Sequence, residues 1–221
     1  MPKDPPNPLQ TIYDRLLQAL GPQNWWPART RDEIIIGAIL AQNTAWANVE
    51  RAIEYLRQAN ALTLPAIHRL PTDDLAQLIR PAGTFRIKAQ RLKKLTAWLA
   101  QHFDSQPDAL FAQGLKQARQ SLLTVNGIGP ETADAILLSA GQLPTFVVDA
   151  YTQRILRRHH LIPPTADYHH TQSLFESAIP PDVTTYNQYH ALIVQLGKHH
   201  CRPKAKCQNC PLESMPHNEA L

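Results

Sequence analysis

The chain has 221 residues, 43% hydrophobic and 18% charged, with a formal charge of +4 and a pI of about 9.1. That length builds one domain or two small ones with real cores, and no window has the long uncharged apolar run of a membrane span. Its three cysteines lie from Cys201 onward, too few and too clustered for a disulfide framework. The basic balance admits nucleic acid as a partner without proving it.

The first eight residues are rich in proline and lack the apolar core of a signal peptide. They read as a mobile arm on a cytoplasmic protein. Leu9, Ile12, Leu16, Leu17 and Leu20 recur at helical spacing, and Gly21-Pro22 stops that helix. Asn24-Trp25-Trp26-Pro27 follows. Two adjacent indoles cannot both face a core from one helix face, so one lines a surface or cleft, or else clasps two helices. Thr30-Arg31-Asp32-Glu33 is a capping box, with Glu33 reaching back. It opens Ile34 to Ala41, a stretch apolar all round and hence a buried central helix. That helix ends in Gln42-Asn43-Thr44, and a further helix runs from Trp46 to Ala59.

Pro71 to Asp74 starts a short helix over 75–80, and Pro81 to Phe85 is a break. The helix predicted over 86–102 carries Arg86, Lys88, Arg91, Lys93 and Lys94, a basic face that solvent or phosphates can meet, with Lys88 the candidate for phosphate. Helices over 107–113 and 115–123 lead into Val125-Asn126-Gly127-Ile128-Gly129-Pro130. Gly127 and Gly129 can take positive φ and admit another chain close to the backbone. Pro130 suits a first helical turn, and Ala133, Ile136, Leu137 and Ala140 continue the helix until Gly141. The N–H groups of Gly129, Glu131 and Thr132 then point out of a helix start, a ready anion site. Further on, Val147-Val148 precede Asp149, which opens a helix over 151–159. Helices over 171–177 and 184–198 complete the chain before Cys201. Strand signals are scarce, and the prediction is an all-α protein of about ten helices.

The glycine hairpin, its helix, the Gly/Pro-bearing loop from Gly141 to Pro144 and Asp149 together resemble the helix-hairpin-helix–Gly/Pro–Asp superfamily of DNA glycosylases, of which endonuclease III is the type. The resemblance implies two helical lobes with a DNA-binding cleft between them. One lobe spans 30–131 and ends in the hairpin; the other joins 9–29 to 132–221 and carries the cysteine loop. It implies a monomer acting on double-stranded DNA that contains a damaged base. Gln42 matches a glutamine that fills the gap left by an everted base, though a simple capping role is the bland alternative. Asp149 is likewise either a plain N-cap or the catalytic carboxylate. In the latter role it is kept ionised by helix N–H groups, stabilises positive charge on the sugar and orients a water.

Bifunctional relatives carry a lysine two residues after the second hairpin glycine. Here Glu131 stands there and cannot form an imine, so the expectation is a monofunctional enzyme. Adenine-specific relatives carry a glutamate where this chain has Ala38. Trp25, Trp26, Pro27 and Trp46 could form an aromatic base pocket for a cationic alkylated purine. These segments resemble the endonuclease-III-like 3-methyladenine DNA glycosylases. Oxidised pyrimidines or mismatched bases, and a non-catalytic hairpin protein, are the alternatives. By residue match the carbonyls of Leu123, Val125 and Ile128 would hold a monovalent cation. Cys201, Cys207 and Cys210 stand where relatives hold a [4Fe–4S] cluster, but a fourth cysteine near Pro216 is missing. A cluster completed by a ligand such as His217, a relic loop, or zinc with His199, His200 or His217 are the readings open there.

Overall fold

The computed structural model describes residues 7–218, and among them the secondary structure is helical throughout, with no strand. The chain divides into two compact units, Trp26–Leu143 and a second drawing on Met1–Trp25 and Pro144–Leu221.

The Trp26–Leu143 unit contains α2 (Arg31–Leu40), α3 (Trp46–Gln58), α4 (Leu64–Arg69), α5 (Thr72–Leu78), a 3-10 turn (Arg80–Ala82), α6 (Phe85–Phe103), α7 (Pro107–Phe111), α8 (Leu115–Leu123) and α9 (Pro130–Ala135). A π-helical turn, Ile136–Ala140, continues α9. As its composition requires, α2 is buried from Ile35 to Leu40 and packs against α3, α6, α9 and the π turn. Thr30 caps it through Oγ1 to the Glu33 amide at 3.1 Å. The Glu33 carboxylate reaches back one residue further than a capping box does, accepting from the Arg29 amide at 3.2 Å. Arg57 of α3 donates to the same carboxylate at 3.0 Å. The expected lobe boundary at Glu131 falls instead at Leu143. The reason is that Ala133 and Ile136 to Leu138, with Ala140, are buried, and α9 with its π turn packs on α2 and α8.

α4 has no counterpart among the predicted helices; its six residues are too few to show periodicity. The basic face expected on α6 also turns inward in part. The helix packs against α2, α4, α5 and α7, so Lys88 and Lys93 meet the carbonyl ends of other helices. Lys93 Nζ donates to the carbonyls of Ile67, His68 and Leu70 at the end of α4. Such cationic capping answers carbonyls that a helix leaves unpaired.

The other unit holds α1 (Pro8–Leu20), α10 (Ala150–Arg158), α11 (Tyr168–Ala178) and α12 (Val183–His199). α12 packs on α1 and α10, and Tyr189 of α12 donates its hydroxyl to the Leu9 carbonyl at 2.8 Å. Residues 1–6 of the expected arm lie outside the described residues. Its last two, Asn7 and Pro8, belong to α1: the Asn7 side chain accepts the Leu9 amide at 3.0 Å and donates to the Ala178 carbonyl at 2.9 Å. No helix among the described residues is long and apolar enough to cross a membrane.

Candidate nucleic-acid interface and active site

The hairpin is built between α8 and α9. Its turn closes by the Ile128 amide donating to the Val125 carbonyl at 3.0 Å, which leaves that carbonyl a second lone pair. Gly127 adopts φ +96°, a backbone region that favours glycine. Gly129 does not: its φ is −96° and ψ 178°, so the sequence reading of positive φ holds for Gly127 alone. Among the described residues, no protein acceptor meets the amide N–H groups of Gly127, Gly129 and Thr132. Exposed amides at a helix start make an anion site.

The two helices of the hairpin are clamped by an ion pair that the sequence reading missed. Arg119 of α8 donates to both carboxylate oxygens of Asp134 of α9, at 2.7 and 3.0 Å. Asp134 is fully buried, and a bidentate fork fixes the angle between the helices as well as their distance. A carboxylate beside the apolar face of a helix was the one available signal.

Gln42 lies at the end of α2 against the hairpin. Its Nε2 donates to the Gly127 carbonyl at 3.1 Å and to Thr132 Oγ1 at 2.9 Å. Arg91 of α6 donates to Gln42 Oε1, and its stem covers Gly127. Lys94 Nζ donates to Asn126 Oδ1 at 2.7 Å. Glu131 is exposed at the start of α9.

Lys88, the candidate for phosphate contact, is not on this surface. It is 1% exposed. Its ammonium donates to the Leu40 carbonyl at 2.7 Å, to the Ala82 carbonyl at 2.7 Å and to Thr44 Oγ1. Burial pushes its pKa down to about 8, with the nearby Arg91 charge adding to the effect. Lys88 ties the end of α2, the following turn and the 3-10 turn together.

Of the four residues expected in a base pocket, the structure brings Trp26 and Trp46 together. Their rings meet edge to face, with centroids 5.3 Å apart at 85°. Gly37 makes room for Trp26, since a Cβ there would lie 3.2 Å from its Cζ2. Pro27 and Trp46 line a groove of about 580 Å³, with Ala28, Ala47 and Ile53 among its apolar wall and Arg29, Arg51 and Glu50 among its charged one. Trp25 falls in the other unit.

Asp149 is placed by an extended segment. Phe146 to Val148 are buried. Phe146 stacks on Phe175 with centroids 3.8 Å apart, its amide donates to Glu176 Oε1 at 2.9 Å, and its carbonyl accepts Gln172 Nε2 at 2.8 Å. The segment then delivers Asp149 as the N-cap of α10. Asp149 Oδ1 accepts the Thr152 amide at 2.7 Å and the Thr152 hydroxyl at 2.8 Å. Oδ2 meets no protein donor among the described residues, and the side chain is half-buried. One oxygen fixes the carboxylate while the other stays available to a reacting group.

The three cysteines do not fit a four-thiolate cluster. Cys201, Cys207 and Cys210 share a cavity of about 20 Å³ with Arg158 and His217, room for about one water molecule. Arg158 Nη1 donates to Cys201 Sγ at 3.2 Å, and burial pushes the Cys210 thiol up. Among the described residues no three His, Cys, Asp or Glu side chains are grouped to hold a metal ion.

A glycine hairpin with unanswered amides, braced by a buried ion pair, defines a helix-hairpin-helix protein of the nucleic-acid-binding kind. The comparisons narrow the class. Residues 36–181 match the family model described as HhH-GPD superfamily base excision DNA repair protein. A Methanocaldococcus jannaschii protein named, by inference, as a DNA repair glycosylase is 45% identical over 203 residues, 91% of this chain and 92% of its own. Endonuclease III of Thermotoga maritima is 25% identical over 183 residues, covering 82% of this chain and 80% of its own. Among solved structures, an H. pylori 3-methyladenine DNA glycosylase bound to 1,N6-ethenoadenine matches with a TM-score of 0.73 and 30% identity, covering 86% of this chain and 95% of that one. A non-covalent endonuclease III–DNA complex shares the fold, with a TM-score of 0.80 at 21% identity over 96% of this chain and 94% of that one. The chain belongs to the HhH-GPD superfamily of base excision DNA repair proteins. It is a DNA glycosylase of the endonuclease-III-like kind.

Proposed function

We propose that this glycosylase is monofunctional: it flips a damaged base out of the duplex and releases it by hydrolysis. The base is an alkylated purine such as 3-methyladenine. The hairpin amides of Gly127, Gly129, Glu131 and Thr132 hold a phosphate, the carbonyls of Leu123, Val125 and Ile128 hold a monovalent cation, and Gln42 fills the gap in the duplex. Trp26, Pro27 and Trp46 receive the flipped base, whose positive charge suits an indole face. Asp149 stabilises the developing sugar cation and orients the attacking water.

The observation that carries this reading is the Asp149 carboxylate, anchored by two donors on Oδ1 with Oδ2 open to a reacting group. Glu131 supports the water route, since a carboxylate in the position of the imine-forming lysine removes β-elimination by Schiff base. Similarity to a 3-methyladenine glycosylase at 30% identity supports the substrate class. The C-terminal loop needs no metal in this reading, because Arg158 organises it.

Base release from methylated duplex, with free 3-methyladenine and 7-methylguanine resolved by chromatography, is the test. Wild-type protein releases 3-methyladenine. Asp149→Asn keeps duplex affinity and an N-cap but loses about 100-fold or more in rate. Borohydride yields no covalent protein–DNA adduct; a trapped adduct defeats the monofunctional assignment. Release of oxidised pyrimidines in place of methylated purines would move the substrate class, and no release from any duplex would leave a binding protein.

A further inference from the structure

We infer that Arg91 is a positioning residue that locks Gln42 onto the hairpin, so that gripping the duplex and presenting Gln42 to it are one act. The inference rests on the reading of Gln42 as the side chain that enters the duplex.

A glutamine amide has two N–H donors and one carbonyl oxygen. Here both donors are engaged by the hairpin, at the Gly127 carbonyl and Thr132 Oγ1. The oxygen is engaged by Arg91. Nothing in the amide is left to rotate freely, although glutamine is among the side chains with most rotamer freedom to lose. That freedom is surrendered on folding rather than at the DNA, which is what preorganisation means for binding.

Arg91 is held in turn by the turn it braces. A Cβ on Gly127 would lie 2.5 Å from Arg91 Cγ and 2.9 Å from Cδ, so the arginine stem lies directly on the glycine backbone. Stem on Gly127, guanidinium on Gln42, amide on Gly127 and Thr132: the contacts form a closed loop within the Trp26–Leu143 unit. Lysine at this position could keep the stem and one contact, and methionine the stem alone.

The probe is a duplex carrying a tetrahydrofuran abasic analogue opposite 2-aminopurine, beside an intact duplex of the same sequence. The gap is already open, so no chemistry is needed to read Gln42. Affinity is read by anisotropy, and entry of Gln42 by the change in 2-aminopurine fluorescence. Arg91→Met is expected to weaken abasic-duplex binding about fivefold or more, the scale of coupling between contacting residues. In a Gln42→Ala background the same change costs less than about twofold, and intact-duplex affinity moves little in either. Arg91→Lys recovers part of the loss. Should Arg91→Met fold poorly, Thr132→Val removes the other anchor of the amide and shows the same dependence on Gln42.

Equal weakening in both backgrounds, on both duplexes, makes Arg91 a phosphate contact and overturns the inference. So does no weakening in either. If Gln42→Ala binds the abasic duplex as tightly as wild type, the inference falls with the reading of Gln42. If wild type releases no alkylated base yet the coupling is measured, the substrate reading fails and the inference stands.

Discussion

Lys88 shows how a residue's chemistry is set by what its helix packs against. The sequence shows a lysine on a basic stretch; the structure puts the ammonium against two carbonyls and a hydroxyl, with Arg91 one turn on. Its pKa falls from 10.5 to about 8 in the folded chain. The folded state therefore releases the proton first. Below pH 8 both states are charged and the cost of burying the ammonium is present in full. Between 8 and 10.5 the unfolded chain still holds the proton, so this residue's contribution to stability rises with pH. Lys88→Met removes the titration and leaves the carbonyls of Leu40 and Ala82 without their donor, at a cost of about 1–3 kcal/mol. Urea unfolding at pH 7 and pH 9.5 checks the sign: the gap between wild type and variant widens at the higher pH. A gap that is flat or narrows means the three acceptors keep the ammonium charged.

At the scale of the element, the two hairpin glycines separate. Gly127 has φ +96° and Arg91 lies where a Cβ would go, whereas Gly129 has an extended φ and open space. Gly127→Ala is expected to lose about 1–3 kcal/mol of stability. Gly129→Ala stays within about 0.5 kcal/mol of wild type. Both are expected to weaken duplex binding, since either methyl group stands beside the amides proposed to meet phosphate. Thermal denaturation with anisotropy separates the two effects, and a Gly129→Ala protein with wild-type affinity removes that glycine from the interface. The hairpin was legible because glycine and proline mark local backbone. The helices α1, α2 and α10 were legible from spacing and caps. Arg91 on Gln42 and Arg119 on Asp134 join residues far apart in sequence, and no local pattern announces them. For α4, Thr63 capping the Ala66 amide and Pro65 in the first turn were the missed signals.

At the scale of the whole molecule, one helix carries both the carboxylate proposed for the reaction and the anchor of the C-terminal loop. α10 starts at the Asp149 cap and ends at Arg158. Arg158 is 3% exposed. It donates to Cys201 Sγ and to the carbonyls of Arg202 and Pro203, and its own carbonyl accepts the Asn218 amide at 2.8 Å. Arg154, one turn earlier, donates to the Cys201 carbonyl at 2.7 Å. A guanidinium with several donors in a fixed fork gathers the loop around one charge. Prolonged chelation with o-phenanthroline is therefore expected to leave the unfolding midpoint and base release unchanged. Arg158→Ala leaves buried carbonyls unanswered and is expected to cost about 2–4 kcal/mol. Because the loop and Asp149 share α10, that variant also slows base release, while Asp149→Asn leaves the unfolding midpoint nearly in place. Iron in the purified protein, with a midpoint that falls on chelation, would assign the loop to a metal and leave Arg158 a neighbour of it.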